Sequence, residues 1–200
     1  MSAAEEASIT LRSFSISPIV LPHCHAVRAL STTAAEHQNL TAAKAFITRL
    51  TGYTIDDDDL LFRTLDTTGL FAPNANQREA LVGDRALALV LADDWYKSST
   101  PLSTVTPATV SWPDSLTGAV VADTRYKSVG GNRALSAFGR RVGLAPHIFI
   151  HPGQRGQPVG WKIMATTVEA ILGAIWLDSD GDLGTLRAAI EHMDLRRSAT

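Results

Sequence analysis

Residues 76–84 read Asn-Gln-Arg-Glu-Ala-Leu-Val-Gly-Asp and begin a predicted helix. From residue 80 to residue 92 the chain is almost entirely apolar and holds one acidic residue, Asp84, a pattern typical of a buried helix. A second apolar segment, residues 161–177, also holds one acidic residue, Glu169. Because an ionised carboxylate is costly to bury alone, both side chains must be paired, protonated or bound to a cation.

Two arrangements of these carboxylates are open from the sequence. In the first, Asp84 pairs with Arg85 or Arg78, and Glu169 keeps contact with solvent. In the second, Asp84 and Glu169 face each other from two helices and hold a divalent cation between them.

The remainder of the chain predicts an all-α fold, because no useful length shows the alternation of a strand. The segments predicted to be helical cover 41–51, a stretch beginning at Asp56, 76–96, 116–127, 131–142, 161–177 and 182–193, with loops at 98–113 and 146–160. The tryptophans beside the apolar helices are expected to pack in the core; they are Trp95, Trp161 and Trp176.

Composition excludes several classes of protein. The 200 residues are 45% hydrophobic and 19% charged, which suits one folded domain rather than a disordered chain. The formal net charge of −2 is not that of a strongly basic nucleic-acid-binding protein. Cys24 is the single cysteine, so a disulfide framework is excluded, and no segment is long and apolar enough to predict a membrane span.

The N-terminal segment differs from the rest of the chain. After Glu6 no acidic residue occurs before Glu36, and the stretch between them is rich in Ser and Thr with spaced arginines. This composition is typical of a mitochondrial presequence, and we expect cleavage after Leu30 and a location in the mitochondrial matrix. The predicted organisation is a presequence at 1–30, a linker at 31–39, a folded domain at 40–195 and a basic tail at 196–200.

The segment 76–84 resembles the ribonuclease III signature Asn-Glu-Arg-Leu-Glu-Phe-Leu-Gly-Asp. Residues 165–178 resemble the second signature of that family, Ala-Asp-x-x-Glu-Ala-x-x-Gly-Ala-x-x-x-Asp. Residues 60–65 and 132–144 are similar to two further blocks, in the same order and at similar spacing. The resemblance covers about residues 40–193 and implies the helical fold of the ribonuclease III endonuclease domain.

In that family four carboxylates hold the magnesium that is used to cut double-stranded RNA. The resemblance places them at Ala80, Asp84, Thr166 and Glu169, so two of the four are replaced. A supporting acid of the first signature falls on Gln77. Glu79 does not substitute for the lost acid at position 80, because one residue along a helix is a rotation of about 100°.

We therefore expect a vestigial site, no bound cofactor and little or no hydrolysis. The combined pattern resembles the ribonuclease III-like proteins of the mitochondrial large ribosomal subunit. That resemblance implies a structural protein that pairs with another ribonuclease III-like protein and contacts ribosomal proteins and rRNA, with no small-molecule substrate. Basic residues that could meet phosphates are Arg125, Lys127, Arg133, Arg140 and Arg141.

The alternative is a magnesium-dependent endoribonuclease that cuts double-stranded RNA and processes RNA. In this case Asp84 and Glu169 hold one ion weakly, since magnesium can be bound through one or two carboxylates with water and substrate oxygens. We expect no double-stranded-RNA-binding domain after the last helix, which would handicap such an enzyme.

Overall fold

The computed structural model describes residues 34–70, 74, 76–98 and 126–195. Within these residues the fold is helical, as predicted, and the one β-type pairing is an isolated parallel bridge between Asp66 and Phe149. The helices are α1 Ala34–Thr51, α2 Asp58–Leu65, α3 Gln77–Ser98, α4 Asn132–Arg141, α5 Trp161–Asp178 and α6 Leu183–His192. Residues 126–130 are also helical. None of these helices is long and apolar enough to span a membrane.

One predicted helix start is wrong, and another lies within the predicted run of acids at 56–59. The first helix begins at Ala34 rather than at residue 41, so part of the predicted linker at 31–39 is helical. Ala, Glu and Gln at the start of this segment are good helix formers, and they extend the helix backwards. The second helix begins at Asp58, because Asp57 is its N-cap and accepts hydrogen bonds from the backbone N–H groups of Asp59 and Leu60.

Other described boundaries agree with the sequence to within two residues, except that the helix predicted to end at residue 127 continues to residue 130. α1 ends where Gly52 adopts a positive φ of 70°. The predicted loop at 146–160 contains a single 3-10 turn at Pro152–Gln154, and a second turn, Ala145–His147, overlaps its start. The predicted loop at 98–113 and most of the predicted helix at 116–127 lie outside the described residues.

Helix α5 is the centre of the domain. Helices α2, α3, α4 and α6 all pack against it, and its residues 170–175 are fully buried. Burial on every side suits a helix that is apolar around its whole circumference. Each neighbouring helix is therefore positioned relative to α5, and the functional residues of α3 and α4 are placed by those contacts.

Helix α3 is buried on one side only, which corrects the prediction that it is enclosed. Leu81, Leu89 and Tyr96 are 60%, 50% and 75% exposed. They are exposed because α3 packs with one side on α5 and leaves its other side at the surface. The apolar pattern predicts burial within the domain, whereas Leu81 and Leu89 lie on an outer face.

Asp178 joins the end of α5 to the connection between α1 and α2. Its carboxylate accepts hydrogen bonds from the Tyr53 hydroxyl at 2.8 Å and from the backbone N–H groups of Asp56 and Asp57 at 3.1 and 3.2 Å. Burial, followed by the hydrogen bond and charge of Asp178, raises the pKa of Tyr53 to about 12. The last acid of the second signature thus has a clear structural task.

Candidate functional site

Two glycines bring α3 and α5 into backbone contact. A Cβ atom on Gly83 would lie 1.9 Å from the carbonyl oxygen of Glu169, and one on Gly173 would lie 2.0 Å from the carbonyl oxygen of Glu79. No side chain fits at either position, so both must be glycine for the helices to cross this closely. Asp84 follows this crossing directly on α3 and Glu169 borders it on α5, which brings their two charges into interaction.

The carboxylate of Asp84 has two partners. Its Oδ1 accepts a hydrogen bond from the hydroxyl of Tyr126, and its Oδ2 lies 3.4 Å from Nη1 of Arg85. Burial and then the hydrogen bond to Asp84 raise the pKa of Tyr126, so the phenol stays protonated and keeps donating. The contact with Arg85 agrees with the first of the two predicted arrangements, whereas the contact with Tyr126 had no signal in the sequence.

Glu169 is partly buried beside Asp84. Burial is the larger cause and the charge of Asp84 the smaller one; together they raise the pKa of Glu169 to about 7. Without a cation between them, the Glu169 carboxyl therefore holds its proton to a higher pH than an ordinary glutamate does.

The replaced positions of the site contribute no charge. Gln77 is exposed, Ala80 is buried, and Thr166 is partly buried. The buried carboxylate of Glu79 lies 3.3 Å from Nε of Arg63 on α2, so it is occupied in an ion pair away from the crossing. This placement agrees with the expectation that Glu79 does not replace the missing acid.

These residues do not fit a firmly held magnesium ion. In the part of the chain that the structure describes, no group of three or more His, Cys, Asp or Glu side chains is arranged to hold a metal. Two of the four positions that would supply anionic ligands hold Ala80 and Thr166, and Oδ1 of Asp84 already accepts a hydrogen bond from Tyr126. An ion at this point would have two anionic ligands at most, Asp84 and Glu169.

The predicted RNA-contacting residues separate into groups. Arg133 and Arg140 line the same groove at the surface of α4. The guanidinium of Arg141 lies over the ring of Phe138, 5.4 Å from its centroid. Lys127 is exposed in the helical segment 126–130, and Arg125 lies outside the described residues. The structure therefore brings two of the five predicted residues together.

Charge is strongly segregated along the chain. Residues 124–168 contain seven Lys and Arg residues and no Asp or Glu. The rest of the chain holds the other 11 basic residues and all 20 acidic ones. A net charge of −2 thus conceals a basic region that includes α4 and the start of α5.

Trp161 is not a core residue, which corrects the prediction made for it. It is the first residue of α5 and is 48% exposed, and it lines the same groove as Arg133 and Arg140. The apolar helix that follows suggested burial, but the first turn of α5 projects beyond the helices that enclose its middle. Trp176 packs against the core as expected.

Comparison with known proteins agrees with this geometry. The model of the ribonuclease III domain family matches residues 77–180. "Ribonuclease 3" of Vibrio vulnificus is 32% identical over 137 residues, covering 67% of this chain and 53% of that protein. "Ribonuclease 3" of Vibrio cholerae is 31% identical over 147 residues, covering 72% and 57% respectively. The chain thus spans about half the length of these relatives.

Among solved structures, the nuclease domain of ribonuclease III from Campylobacter jejuni superposes with a TM-score of 0.57 at 17% identity. The superposition covers 75% of this chain and 92% of that one. At this identity the likeness establishes the fold. Both signatures, the crossing at their two glycines and the family match to more than half of the residues lead to one conclusion: the chain belongs to the ribonuclease III domain family.

Proposed function

We propose that this protein is a non-cleaving ribonuclease III-like domain that serves as a structural component of the mitochondrial large ribosomal subunit. The observation that carries the proposal is the state of the carboxylate site. Two of the four metal-ligand positions hold Ala80 and Thr166, and the remaining Asp84 accepts a hydrogen bond from Tyr126. A cation here has two anionic ligands at most, whereas activating water requires a firmly placed metal.

The exposed side of α3 supports a role in pairing. Leu81, Leu89 and Tyr96 lie within an arc of about 80° on this helix, at a rotation of about 100° per residue. A row of exposed apolar side chains is typical of a surface that a partner covers. In one of the similar Campylobacter jejuni structures, a region involved in dimer formation shows structural flexibility. We infer that another ribonuclease III-like protein covers this side of α3.

Contact with rRNA is assigned to the acid-free region at 124–168. Phosphates are attracted to surfaces that have Lys and Arg without nearby carboxylates, and such contacts do not require a particular base sequence. Arg133, Arg140 and Arg141 are exposed on α4 within this region. The rest of the chain has more acidic than basic residues, which suits contacts with other ribosomal proteins rather than with rRNA.

The mitochondrial location rests on the sequence of residues 1–30. Their Ser-rich, acid-poor composition ends in Arg28-Ala29-Leu30-Ser31, which resembles a processing site. Sequencing the N-terminus of the protein isolated from mitochondria tests this part directly. Ser31 is the expected first residue, and an uncut Met1 would contradict it.

The experiment for the ribosomal role is cosedimentation of the tagged chain with mitochondrial large subunits on a sucrose gradient. The wild-type chain is expected in the subunit peak. A Leu81→Asp and Leu89→Asp double variant is expected at the top of the gradient, because charges replace the apolar side of α3. Leu177→Asp is the matched control, since Leu177 is 45% exposed on a different helix. A wild-type chain absent from the subunit peak would contradict the proposal.

A second candidate is an RNA-processing endoribonuclease, which is favoured because the relatives are ribonuclease 3 enzymes by name. It requires that Asp84 and Glu169 hold one magnesium ion with water and RNA oxygens. Incubation with double-stranded RNA and magnesium decides between the two. Cleavage by the wild-type chain that disappears in Asp84→Ala would establish the enzyme and end the structural proposal.

A further inference from the structure

A groove of about 510 Å³ lies between α4 and the start of α5. Its lining residues are Arg133, Ser136, Ala137, Arg140 and Trp161. A volume of this size lies within the range of small-ligand sites. The groove therefore offers two guanidinium groups and one large aromatic ring to the same occupant.

The ring of Trp161 and the guanidinium of Arg140 each have a contact at the start of α5. Nζ of Lys162 lies 5.6 Å from the centroid of the Trp161 ring, within the range of a cation–π contact. Nη2 of Arg140 donates a hydrogen bond of 3.0 Å to the carbonyl oxygen of Val159, two residues before the tryptophan. An arginine has five N–H donors, so Arg140 retains others for a ligand. The hydrogen bond fastens Arg140 to the loop that leads into Trp161, on the same groove.

We propose that this groove binds one unpaired nucleotide of single-stranded RNA, with the base stacked on Trp161 and its phosphate between Arg133 and Arg140. The inference rests on the proposed contact with RNA and specifies its ligand. A base can stack on an exposed indole only when it is free of its own helix, whereas phosphates are attracted from any RNA. The absence of Asp and Glu from 124–168 favours a phosphate-bearing ligand over an amine or a basic peptide.

The ring distinguishes this site from a general basic surface. Purely electrostatic binding would place double-stranded RNA on α4 at least as well, because a duplex carries the higher charge density. Stacking on Trp161 requires an unpaired base, so in the groove it favours single-stranded over double-stranded RNA. Binding to single strands is therefore expected to be stronger than binding to a duplex of the same length.

The test uses the full chain and a fluorescently labelled octamer of uridylate, followed by anisotropy and by quenching of tryptophan emission. Trp161→Leu is expected to weaken binding about 5- to 100-fold and to lose the quenching, while Trp161→Phe keeps most of the affinity. Arg133→Ala and Arg140→Ala are each expected to lower the slope of log affinity against log salt by about 0.7. Arg78→Ala, an exposed arginine on α3, is the charge-matched control and is expected to leave the affinity unchanged.

Equal binding by Trp161→Leu and wild type would overturn the inference, as would a duplex that displaces the octamer more effectively than a single strand does. A wild-type chain that binds no octamer at all would also overturn it. These results are separable from the ribosomal proposal, because cosedimentation is measured independently. A Trp161→Leu chain that still reaches the subunit peak while losing the octamer would leave both proposals intact.

Discussion

Replacement of Glu169 by Gln tests an unusual effect of pH on stability. In the wild type, Glu169 lowers the free energy of unfolding as the pH rises, and Gln removes this dependence. In the folded chain, burial and the charge of Asp84 raise the pKa of Glu169 from 4.5 to about 7. The folded state then binds this proton more tightly than the unfolded chain does. The contribution of Glu169 to stability is fully present below about pH 4.5 and is lost as the pH rises through about 7.

The size of the effect follows from the same values. One unit of pKa corresponds to about 1.36 kcal/mol, so the difference between 4.5 and about 7 sets an upper bound of about 3.4 kcal/mol. Because the carboxyl is only partly buried, solvent screening lowers the expected value to about 1–2 kcal/mol. Glu169→Gln should therefore be more stable than wild type by this amount at pH 8, and equally stable at pH 4.

Urea unfolding of both chains between pH 4 and pH 8 measures this difference. Glu191→Gln, which changes an exposed glutamate on α6, is the matched control and should show no dependence of the difference on pH. A gap between wild type and Glu169→Gln that stays constant over the whole range would refute the reasoning. It would mean that Glu169 is charged and solvated in the folded chain.

Asp84→Asn separates the two causes of the raised pKa. Since burial contributes more than the charge of Asp84 does, removing the charge should lower the pKa of Glu169 without returning it to 4.5. A ¹³C NMR titration of the Glu169 carboxyl measures this value. A pKa that is unchanged, or one that returns fully to 4.5, would contradict the assignment of burial as the larger cause.

Three further changes test the packing that positions the site. Gly83→Ala should cost about 2 kcal/mol in urea unfolding or prevent folding, because the added Cβ meets a backbone carbonyl of α5. Gly139→Ala should cost less, because its Cβ meets the side chains of Met164 and Val168 rather than backbone. Asn76→Ala should cost about 1–3 kcal/mol, since its buried amide bonds to α2 and α5 at 3.0 and 3.2 Å. Asp178→Asn should lower the pKa of Tyr53, measured by ultraviolet titration, and an unchanged value would contradict the proposed contact.

The helical elements were predictable where local chemistry decides them. The run of acids at 56–59 predicted a helix start, and Asp57 acts as its N-cap. The rotation between adjacent helix positions predicted that Glu79 does not replace the lost acid at position 80, and its carboxylate pairs with Arg63 on α2. Both inferences use interactions within one or two helical turns, and these are written directly in the sequence.

The failures have a different physical origin. Periodicity identifies the apolar side of a helix but does not distinguish burial within the domain from exposure to a partner, so the predicted burial of Leu81 and Leu89 on α3 is wrong. Trp161 was misplaced because the first turn of a helix can project beyond the core that encloses its middle. Tyr126 lies 42 positions from Asp84, and no local pattern joins two residues at that distance.

The two signatures combine residues with separable physical roles. Some hold the fold together, and in this chain they match the family pattern: Asn76 bridges two helices, Gly83 and Gly173 permit the crossing, and Asp178 caps a loop. Other positions of the signatures supply negative charge around an ion in the family. In this chain two of those positions hold Ala80 and Thr166 instead. Carboxylates placed close together repel each other and destabilise the fold unless a cation is bound between them. Ala and Thr at these two positions remove that repulsion, whereas the two glycines introduce none. A chain that needs the scaffold but not the cation is therefore expected to keep the residues that hold the fold and to lose the acids that bind the ion. The hydrogen bond from Tyr126 stabilises the remaining carboxylate of Asp84 without a cation.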